Sequence, residues 1–306
     1  DADGLNALAE QPAQLVAPAG PRVLTPHPGE FARLIGERPV TDAAERAEQA
    51  ARLCRQNGHS DGQGLAVVVA TRDGVTLYDT GMAWRGGGSV AEQVILPFLR
   101  SRGVRRIDRL VVSHADLDHS GGVAFLQDRF EVGFVIAGEP IPGIRAWQCR
   151  SRRAWWSGAV RFEILHPSTP LDDDGNDASC VIRISAGRYS LLLTGDIEAR
   201  SERELVAREA ELGANVVIVP HHGSLTSSSL PFVNSVSPGI AVVSAGFGNR
   251  WDFPRPPVVA RWRGTGAEVL NTAEAGAIFV RICADRGVVD VELERQHRRR
   301  FWHAGN

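Results

Sequence analysis

Four side chains of types that commonly bind metal ions lie within six positions, after an apolar run and before two glycines. They are His114, Asp116, Asp118 and His119, in the stretch RLVVSHADLDHSGG. Imidazole and carboxylate groups are frequent ligands of divalent metals, and a carboxylate is costly to bury without a partner. The stretch predicts a loop at a strand end, where residues 114 and 116 face one point and residues 118 and 119 face another. Two neighbouring metal ions would fit this arrangement, and a solvated polar loop is the alternative.

Other ionisable residues also end apolar runs. Asp79 ends VTLYD, Asp196 ends SLLLTGD, and His221 and His222 follow NVVIVP. A carboxylate directly after a row of leucines is unfavourable unless it is exposed or paired with a cation or a metal. Ligand sites of α/β folds collect at the ends of strands. We therefore predict that these residues converge with the loop at 114–119 on one site.

Short apolar runs separated by glycine fill the chain from about residue 60 onward. Helical patterns fall between some of them, at residues 89–103 and 198–209. Strands that alternate with helices, many apolar on both faces, predict a layered α/β domain over about residues 60–306. A further helix is predicted over 41–58. The runs interpreted as strands are LAVVVAT, VTLYDTG, IDRLVVSH, FEVGFVIAG, VRFEILHP, CVIRI, YSLLLTGD, NVVIVPHHG and GIAVVSAG.

The composition is that of an ordinary globular protein. The 306 residues are 43% hydrophobic and 23% charged, with a formal net charge of −2. A charge near zero gives no general attraction to nucleic acid or membranes. The four cysteines are far apart in the sequence, so we expect neither a zinc knuckle nor a disulfide framework. Without a long apolar run, a signal peptide or an initial methionine, the sequence indicates a soluble piece of a longer protein.

The motifs together resemble a known family. HADLDH, LLLTGD and VPHHGS, with LYDTG upstream, are similar to motifs of the metallo-β-lactamase superfamily, whose αββα sandwich holds a dinuclear metal centre. The resemblance covers about residues 61–306, and we place this hydrolase domain at 58–306. Seven stretches in order also resemble the soluble C-terminal domain of ComEC-type DNA-uptake competence proteins, a family anchored in the bacterial inner membrane. They are DGQGLAVVV, SHADLDHSGG, FEILHP, NDASCVIRI, TGDIE, HHGSLTSSS and SAGFGNRWDFPRP.

The resemblance implies a role for each residue of the predicted site. One metal ion would be held by residues 114 and 116 and the other by residues 118 and 119, with the aspartate at 196 bridging both. The implied metal ligands are His114, Asp116, Asp118, His119, Asp196 and His221, with His222 as the alternative to His221. The implied catalytic residues are Asp118, Asp196 and His222. Asp79 and Asn176 would not bind the metal ions themselves but would hydrogen-bond to the residues that do, and so orient them.

Two departures from the family pattern affect the choice of metal. Asp116 stands where the superfamily usually has a histidine. A further ligand histidine is usual between the second and fourth motifs, and here Asn176 or Asp177 falls near that place. His166 could substitute for it or could be structural. Oxygen ligands make the site harder, which shifts the preference from zinc toward manganese or magnesium without excluding zinc. The expected cofactor is therefore two divalent ions, manganese or zinc, with magnesium also compatible.

The resemblance implies a hydrolase that cleaves the phosphodiester bonds of DNA with water activated by two metal ions. The first alternative is a small-molecule metallo-hydrolase of the same fold, acting on a phosphoester, thioester or lactone. The second is a catalytically silent DNA-binding module, which the missing ligand histidine keeps open. The family's membrane channel portion is absent from this chain, so transport of DNA is not expected of it.

Arginines mixed with aromatic residues suggest contacts with single-stranded DNA. The stretches CRSRRAWW, RQHRRRFWH and NRWDFPRP have the composition of a surface that binds phosphates and stacks on bases. A solvated charged edge and a frayed terminus are the alternatives. Ser224, Thr226 and Ser227 are either phosphate contacts or ordinary loop residues. The predicted DNA-binding residues are Arg152, Arg153, Trp155, Arg250, Arg299 and Trp302.

The first 57 residues resemble a different family. DADGLNALAE and RVLTPHPGEFARLIG are similar to segments of the NAD(P)H-hydrate dehydratase domain, which has a ribokinase-like fold. The glycine-rich loop that such enzymes use to bind phosphates does not follow. We therefore expect an incomplete fragment at 1–57, with no dehydratase activity and no nucleotide cofactor.

Overall fold

The structure is a computed structural model that describes residues 64–84, 87–168 and 175–297. Several predictions of the sequence fall outside these ranges. They include the dehydratase-like segment at 1–57, the helix over 41–58, and the DNA-contact residues Arg299 and Trp302.

The first sheet has five strands in the order β1-β2-β3-β4-β5. β1 and β2 form an antiparallel hairpin, and β2 to β5 run parallel. The carboxyl ends of β2 and β3 therefore lie next to each other at one edge of the sheet. The strands are β1 Val67–Thr71, β2 Gly74–Tyr78, β3 Arg106–Val112, β4 Glu131–Ala137 and β5 Trp147–Gln148.

The second sheet has seven strands in the order β12-β11-β10-β9-β8-β7-β6. β9 to β12 run parallel, and β6 to β9 are antiparallel. β13 and β14 form a separate antiparallel hairpin. The strands are β6 Ala154–Ser157, β7 Val160–His166, β8 Val181–Ala186, β9 Tyr189–Leu193, β10 Val216–Ile218, β11 Ile240–Val243, β12 Glu268–Asn271, β13 Ile278–Cys283 and β14 Gly287–Leu293.

Helices cover the outer faces of both sheets. A π-helical segment, Ala91–Ile95, leads directly into the first α-helix, and 3-10 turns occur at Gly175–Ala178 and Pro220–Gly223. Within the described ranges, no helix has the length and apolar character needed to cross a bilayer. The helices are α1 Leu96–Ser101, α2 Leu117–Ser120, α3 Val123–Arg129, α4 Ala199–Ala207, α5 Leu230–Val236, α6 Pro256–Gly264, α7 Thr272–Ala275 and α8 Glu294–His297.

Three apolar cores separate four layers of structure. The central core lies between the two sheets and includes Tyr78, Val111, Phe162 and Ile182. A second core packs α1 and α3 on the first sheet, and a third packs α4, α5 and α6 on the second sheet. The central strands β10 and β11 are buried on both faces and are apolar throughout. The predicted α/β class and αββα sandwich are confirmed.

All nine apolar runs interpreted as strands form strands, and the helical patterns at 89–103 and 198–209 form helices. Five further strands were not predicted. β6 overlaps the stretch CRSRRAWW, whose arginines and tryptophans suggested a nucleic-acid surface rather than a strand. β5 has only two residues, too few to show a period in the sequence.

The expectation that the cysteines lack a disulfide framework needs a correction. Cys149 and Cys180 form a disulfide, and both side chains are fully buried. The two residues are 31 positions apart, and they come together because the segment after β5 packs against the start of β8. Sequence spacing alone gives no indication of such a pairing. Cys283 is a free cysteine.

Loss of this disulfide is expected to destabilise the fold by about 3–4 kcal/mol, since a crosslink over a loop of this length restricts the unfolded chain by that amount. The measurement is urea unfolding of the variant Cys149→Ala/Cys180→Ala under oxidising conditions. Cys283→Ala is the matched control and should leave the unfolding free energy nearly unchanged. Equal stability of the double variant and the wild type would contradict this assignment.

Candidate metal centre

The predicted site residues meet where strands of both sheets end. Asp79 follows β2, and the loop carrying His114 and His119 follows β3. From the second sheet, Asp196 follows β9 and His222 follows β10. Because β2 runs parallel to β3 and β9 runs parallel to β10, the carboxyl ends of each pair bring the five side chains to one place between the layers.

His119 lies at the middle of this cluster and is fully buried. Its Nδ1 donates to Asp79 Oδ2 at 2.8 Å. Its Nε2 lies 3.2 Å from Asp196 Oδ2 and 3.2 Å from His222 Nε2. Burial lowers the pKa of His119, but the carboxylates of Asp196 and Asp79 outweigh burial and hold that pKa well above its usual range.

His222 has the same arrangement. Its Nδ1 donates to the carbonyl of Ser244 at 2.8 Å, which fixes the tautomer because a carbonyl only accepts. Its Nε2 then faces Asp118 Oδ2 at 3.4 Å and Asp196 Oδ2 at 3.3 Å. Burial lowers the pKa of His222, while the charge of Asp196 and the contact with Asp118 raise it to about 9.

His114 presents the third imidazole. Ser113 Oγ donates to Asp79 Oδ2, so it can accept from His114 Nδ1 at 3.0 Å. This leaves His114 Nε2 buried without a hydrogen-bond partner in the described structure. Asp116 Oδ2 lies 3.6 Å from that nitrogen, beyond hydrogen-bond distance, on a side chain that is 63% exposed.

The carboxylates of the cluster favour the charged state. Burial raises the pKa of Asp196, but His119 and His222 hold it well below its usual range. The pKa of Asp118 is also lowered, because the contacts with His222 and His119 exceed the opposing effect of burial. Asp196 Oδ1 is buried and has no hydrogen-bond partner in the described residues. The cluster thus contains ionised carboxylates, and among the described residues no group donates a hydrogen bond to Asp196 Oδ1.

Two groups of side chains have the chemistry of metal ligands. His114, His119 and Asp196 form one, Asp118, His119 and His222 form the other, and the ligand atoms of each group lie within 4.8 Å of one another. All three histidines bind a protein acceptor through Nδ1 and turn Nε2 toward the carboxylates. A divalent cation would satisfy both the unpartnered atoms, His114 Nε2 and Asp196 Oδ1. The donor set therefore fits divalent metal binding.

His221, the predicted ligand, lies beside these groups rather than in them. Its Nδ1 is 3.1 Å from Thr226 Oγ1 and 3.2 Å from Glu198 Oε1. Its Nε2 is 4.0 Å from Asp196 Oδ2, farther than the Nε2 of His222. The sequence left the choice between the two histidines open, and the distances favour His222.

Other residues named from the sequence lie around the centre without entering either group. Asn176 Nδ2 donates to Glu198 Oε1 at 3.3 Å, so it contacts the partner of His221. His166 donates through Nε2 to the carbonyl of Asp177 at 2.8 Å, an internal hydrogen bond at the end of β7. Ser227 is buried and donates to the Pro220 carbonyl at 2.9 Å, which ties the loop to itself.

The loop after β10 places its histidines through unusual backbone angles. His221 and His222 have φ of 47° and 52°, in the left-handed region that residues other than glycine seldom adopt. Gly223 follows with φ of 82°, and a Cβ there would lie 2.6 Å from Pro254 Cβ. Strained backbone of this kind is characteristic of functional loops.

Sequence reasoning missed two serines and a glutamate at the centre. Ser113 contacts Asp79, His114 and His119 through its hydroxyl. Ser179 Oγ accepts from the Asp196 amide at 3.0 Å, and buried Glu139 accepts from the Ala115 amide at 2.8 Å. Ser113 could have been noticed, because it directly precedes His114. Nothing in the sequence near Ser179 or Glu139 indicates their roles.

The arginine and aromatic residues named as DNA contacts fall in two places. The first place is an open groove, whose lining includes Arg152, Arg153 and Trp155. Arg250 stacks its guanidinium over the Trp251 ring, 4.3 Å from the centroid.

The sequence was compared with models of protein families. Residues 59–246, more than half of the chain, match the model of the "Metallo-beta-lactamase superfamily". The chain belongs to the metallo-β-lactamase superfamily. The histidines and aspartates after β3, β9 and β10 all lie within the matched residues, so the resemblance predicted from the motifs is confirmed.

Curated relatives of this superfamily member include competence proteins. Competence protein ComA of Neisseria gonorrhoeae is 41% identical over 218 residues, which are 71% of this chain and 30% of that protein. Recombination protein 2 of Haemophilus influenzae is 36% identical over 249 residues, 79% of this chain and 30% of that protein. The chain spans less than a third of the length of these relatives.

The start of the chain matches another family. Residues 1–89 match the model of NAD(P)H-hydrate dehydratase. The bifunctional NAD(P)H-hydrate repair enzyme Nnr of Moorella thermoacetica is 40% identical over 100 residues, 31% of this chain and 19% of that protein. The predicted resemblance of the first segment to this family is confirmed. The match extends beyond residue 57 and overlaps the superfamily match over residues 59–89.

Solved structures with similar folds were also found. CmlA, a diiron β-hydroxylase from Streptomyces venezuelae, has a TM-score of 0.44 at 13% identity and covers 73% of this chain and 58% of its own. YhfI from Bacillus subtilis, a metallo-β-lactamase fold protein, has a TM-score of 0.45 at 12% identity and covers 68% of this chain and 88% of its own.

Proposed function

We propose that this chain is a metal-dependent phosphodiesterase that cleaves DNA, with two divalent metal ions at the cluster after β3, β9 and β10. The observation that carries the proposal is the pair of buried ligand groups that share His119. The Nε2 of His119 can bind only one ion, so the side chain proposed to bind both is Asp196, whose carboxylate lies 3.2 Å from His119 Nε2 and 3.3 Å from His222 Nε2. The chemistry that divalent ions supply at such a centre is activation of water and neutralisation of charge on the phosphodiester oxygens.

Each residue of the centre has a role in the proposal. Manganese is the preferred ion, since Asp116 adds an oxygen ligand beside His114 where the superfamily usually supplies nitrogen. Asp118 has a side chain that is 24% exposed, against 5% for Asp196. Asp118 can therefore exchange the proton of the reacting water with solvent. The proposed ligands are His114, Asp116, Asp118, His119, Asp196 and His222.

DNA is proposed as the substrate on the strength of the relatives and of the arginines. The relatives named for competence and for recombination align with 71% and 79% of this chain. Arginine is also the side chain best suited to paired hydrogen bonds with phosphate.

A panel of small substrates distinguishes this proposal from a small-molecule hydrolase of the same fold. The metal-loaded chain should hydrolyse bis(p-nitrophenyl) phosphate, a simple phosphodiester, and leave a lactone, a thioester and a β-lactam intact. Asp118→Ala/His119→Ala is the control that removes the centre. Hydrolysis of the lactone or thioester without the diester would contradict the proposal.

Asp79→Asn is expected to lower the affinity for metal by about 10- to 100-fold, because an amide oxygen is a weaker acceptor for His119 Nδ1 than a carboxylate. Asparagine keeps the shape and tolerates the left-handed backbone of Asp79, whose φ is 58°. Competition with a fluorescent chelator measures the affinity. Asp128→Asn, at a side chain that is 73% exposed, is the control and should bind metal normally.

A further inference from the structure

A groove opens at the edge of the sandwich, apart from the histidine and aspartate cluster. β5 is the last strand of the first sheet and β6 the last strand of the second, and the groove lies where these edges face each other. Its volume is about 520 Å³. The lining residues are Arg109, Phe134, Ile136, Trp147, Gln148, Arg152, Arg153, Ala154, Trp155 and Ile164.

The groove carries an excess of positive charge. Arg109, Arg152 and Arg153 point to it, and no acidic side chain is among its described lining residues. In the described ranges none of the three guanidinium groups forms a salt bridge, whereas Arg106 beside them pairs with Asp108 and Glu131. Three unpaired guanidinium groups in one concave surface favour an anionic ligand.

Aromatic rings stand beside these arginines. Phe134 on β4 is 53% exposed and Trp147 on β5 is 62% exposed. Trp155 is less available for stacking on a ligand, because its ring already has two partners. It stacks on Phe162 with the ring centroids 5.1 Å apart, and the Arg109 guanidinium lies 5.3 Å from its centroid. Trp155 therefore holds Arg109 in place, and the rings free to stack on a ligand are Phe134 and Trp147.

We propose that this groove binds single-stranded nucleic acid, with its arginines on the phosphates and Phe134 and Trp147 stacked on bases. A single strand offers one negative charge and one flat apolar ring per nucleotide, which is what the groove can receive. A neutral peptide added to the edge strands would leave the three charges without partners. The proposal rests on the proposed function only for the choice of nucleic acid as the ligand.

The groove is connected to the metal centre through a disulfide and hydrogen bonds. The Cys149 amide, next to the groove residue Gln148, donates to the Ala137 carbonyl at 2.7 Å. Cys149 is joined by the disulfide to Cys180, whose amide donates to the Ser113 carbonyl at 3.0 Å. Ser113 in turn contacts His114. The groove and the centre are therefore linked through the interior of the sandwich.

Fluorescence anisotropy of a labelled oligothymidylate tests the groove, with the full chain in EDTA so that nothing is cleaved. Trp147→Ala should weaken binding about fivefold or more, the usual effect of removing one stacking ring. Trp156→Ala is the matched control, because Trp156 is 63% exposed on the adjacent strand but does not line the groove. Equal affinity of these two variants, or no binding by the wild-type chain, would overturn the proposal.

The salt dependence of binding tests the arginines. Arg152→Gln/Arg153→Gln should reduce the slope of log affinity against log salt by about 1.4, or about 0.7 for each phosphate that the variant no longer neutralises. Arg203→Gln/Arg263→Gln changes the net charge equally at exposed positions outside the groove and should keep the wild-type slope. An unchanged slope in the groove variant would contradict the proposal.

The results of these experiments distinguish a failure of the proposed groove from a failure of the proposed hydrolase activity. Both groove variants should hydrolyse bis(p-nitrophenyl) phosphate at the wild-type rate with metal, since a small diester needs no groove. If the metal-loaded protein hydrolyses no diester but binds the oligonucleotide through Trp147, the proposed activity fails and the groove stands. If it hydrolyses diesters but the variants bind as the wild type does, the groove fails.

Discussion

Replacement of Asp196 by asparagine is expected to reduce metal-dependent phosphodiester hydrolysis by at least about a thousandfold. Its Oδ2 lies 3.2 Å from His119 Nε2 and 3.3 Å from His222 Nε2, and its Oδ1 is buried without a partner among the described residues. Asp196 belongs to one proposed ligand group, and its carboxylate also contacts His222 of the other. Loss of metal-based charge stabilisation amounts to several kcal/mol, and each 1.36 kcal/mol is a factor of ten in rate.

The measurement is the steady-state rate on a phosphodiester across a range of metal concentrations. Asp285→Asn, at a side chain that is 80% exposed, provides the matched control and should keep the wild-type rate. Circular dichroism and a thermal melt establish that Asp196→Asn still folds. A folded Asp196→Asn variant with more than a tenth of the wild-type rate would contradict the bridging role.

Alanine at His222 and alanine at His221 are expected to have very different consequences. His222 is fully oriented by its bond to the Ser244 carbonyl and faces two carboxylates, so His222→Ala should lower metal affinity by about a hundredfold or more. His221 is bonded to Thr226 and Glu198 at the side of the cluster. His221→Ala should therefore change metal affinity by less than about tenfold, below the usual range for residues that orient a ligand.

Isothermal titration with manganese measures both affinity and the number of ions bound per chain. We expect two ions for the wild type and for His221→Ala, and loss of one ion for His222→Ala. The neighbouring positions make the two variants matched controls for each other. The reverse order of effects would assign the ligand to His221.

The architecture and the position of the centre could be predicted because they follow from strong local patterns. Strands buried on both faces are continuous apolar runs, and these were identified in all nine predicted cases. A charged residue such as Asp196 after SLLLTG marks a strand end, and parallel strands end together. Convergence of the residues was therefore predictable from the sequence, although the strands belong to two different sheets.

The choice between His221 and His222 could not be predicted from spacing. Adjacent residues in an extended or helical segment would point in defined, different directions, but both of these residues adopt left-handed angles. The next residue, Gly223, packs closely against Pro254, which is far along the chain, so the loop makes contacts that its local sequence does not show. Only the folded loop determines which imidazole meets Asp118.

The groove was only partly predictable, for a related reason. Arg152, Arg153 and Trp155 are close together in the sequence, so they could be recognised there as a cluster. Phe134 and Trp147 come from other strands, and single aromatic residues in apolar runs suggest core positions rather than exposed ones. Their exposure results from the short length of β5 and its place at the sheet edge.

The proposed nuclease activity can be measured as cleavage of labelled single-stranded DNA by the metal-stripped chain, with manganese, magnesium or zinc added back separately. We expect cleavage to appear with an added metal, strongest with manganese, and to be absent in EDTA and in the Asp118→Ala/His119→Ala variant. No cleavage with any of the three metals, by a folded protein shown to bind them, would contradict the proposed nuclease. Equal cleavage by the double variant would do the same, because the activity would then come from outside this centre.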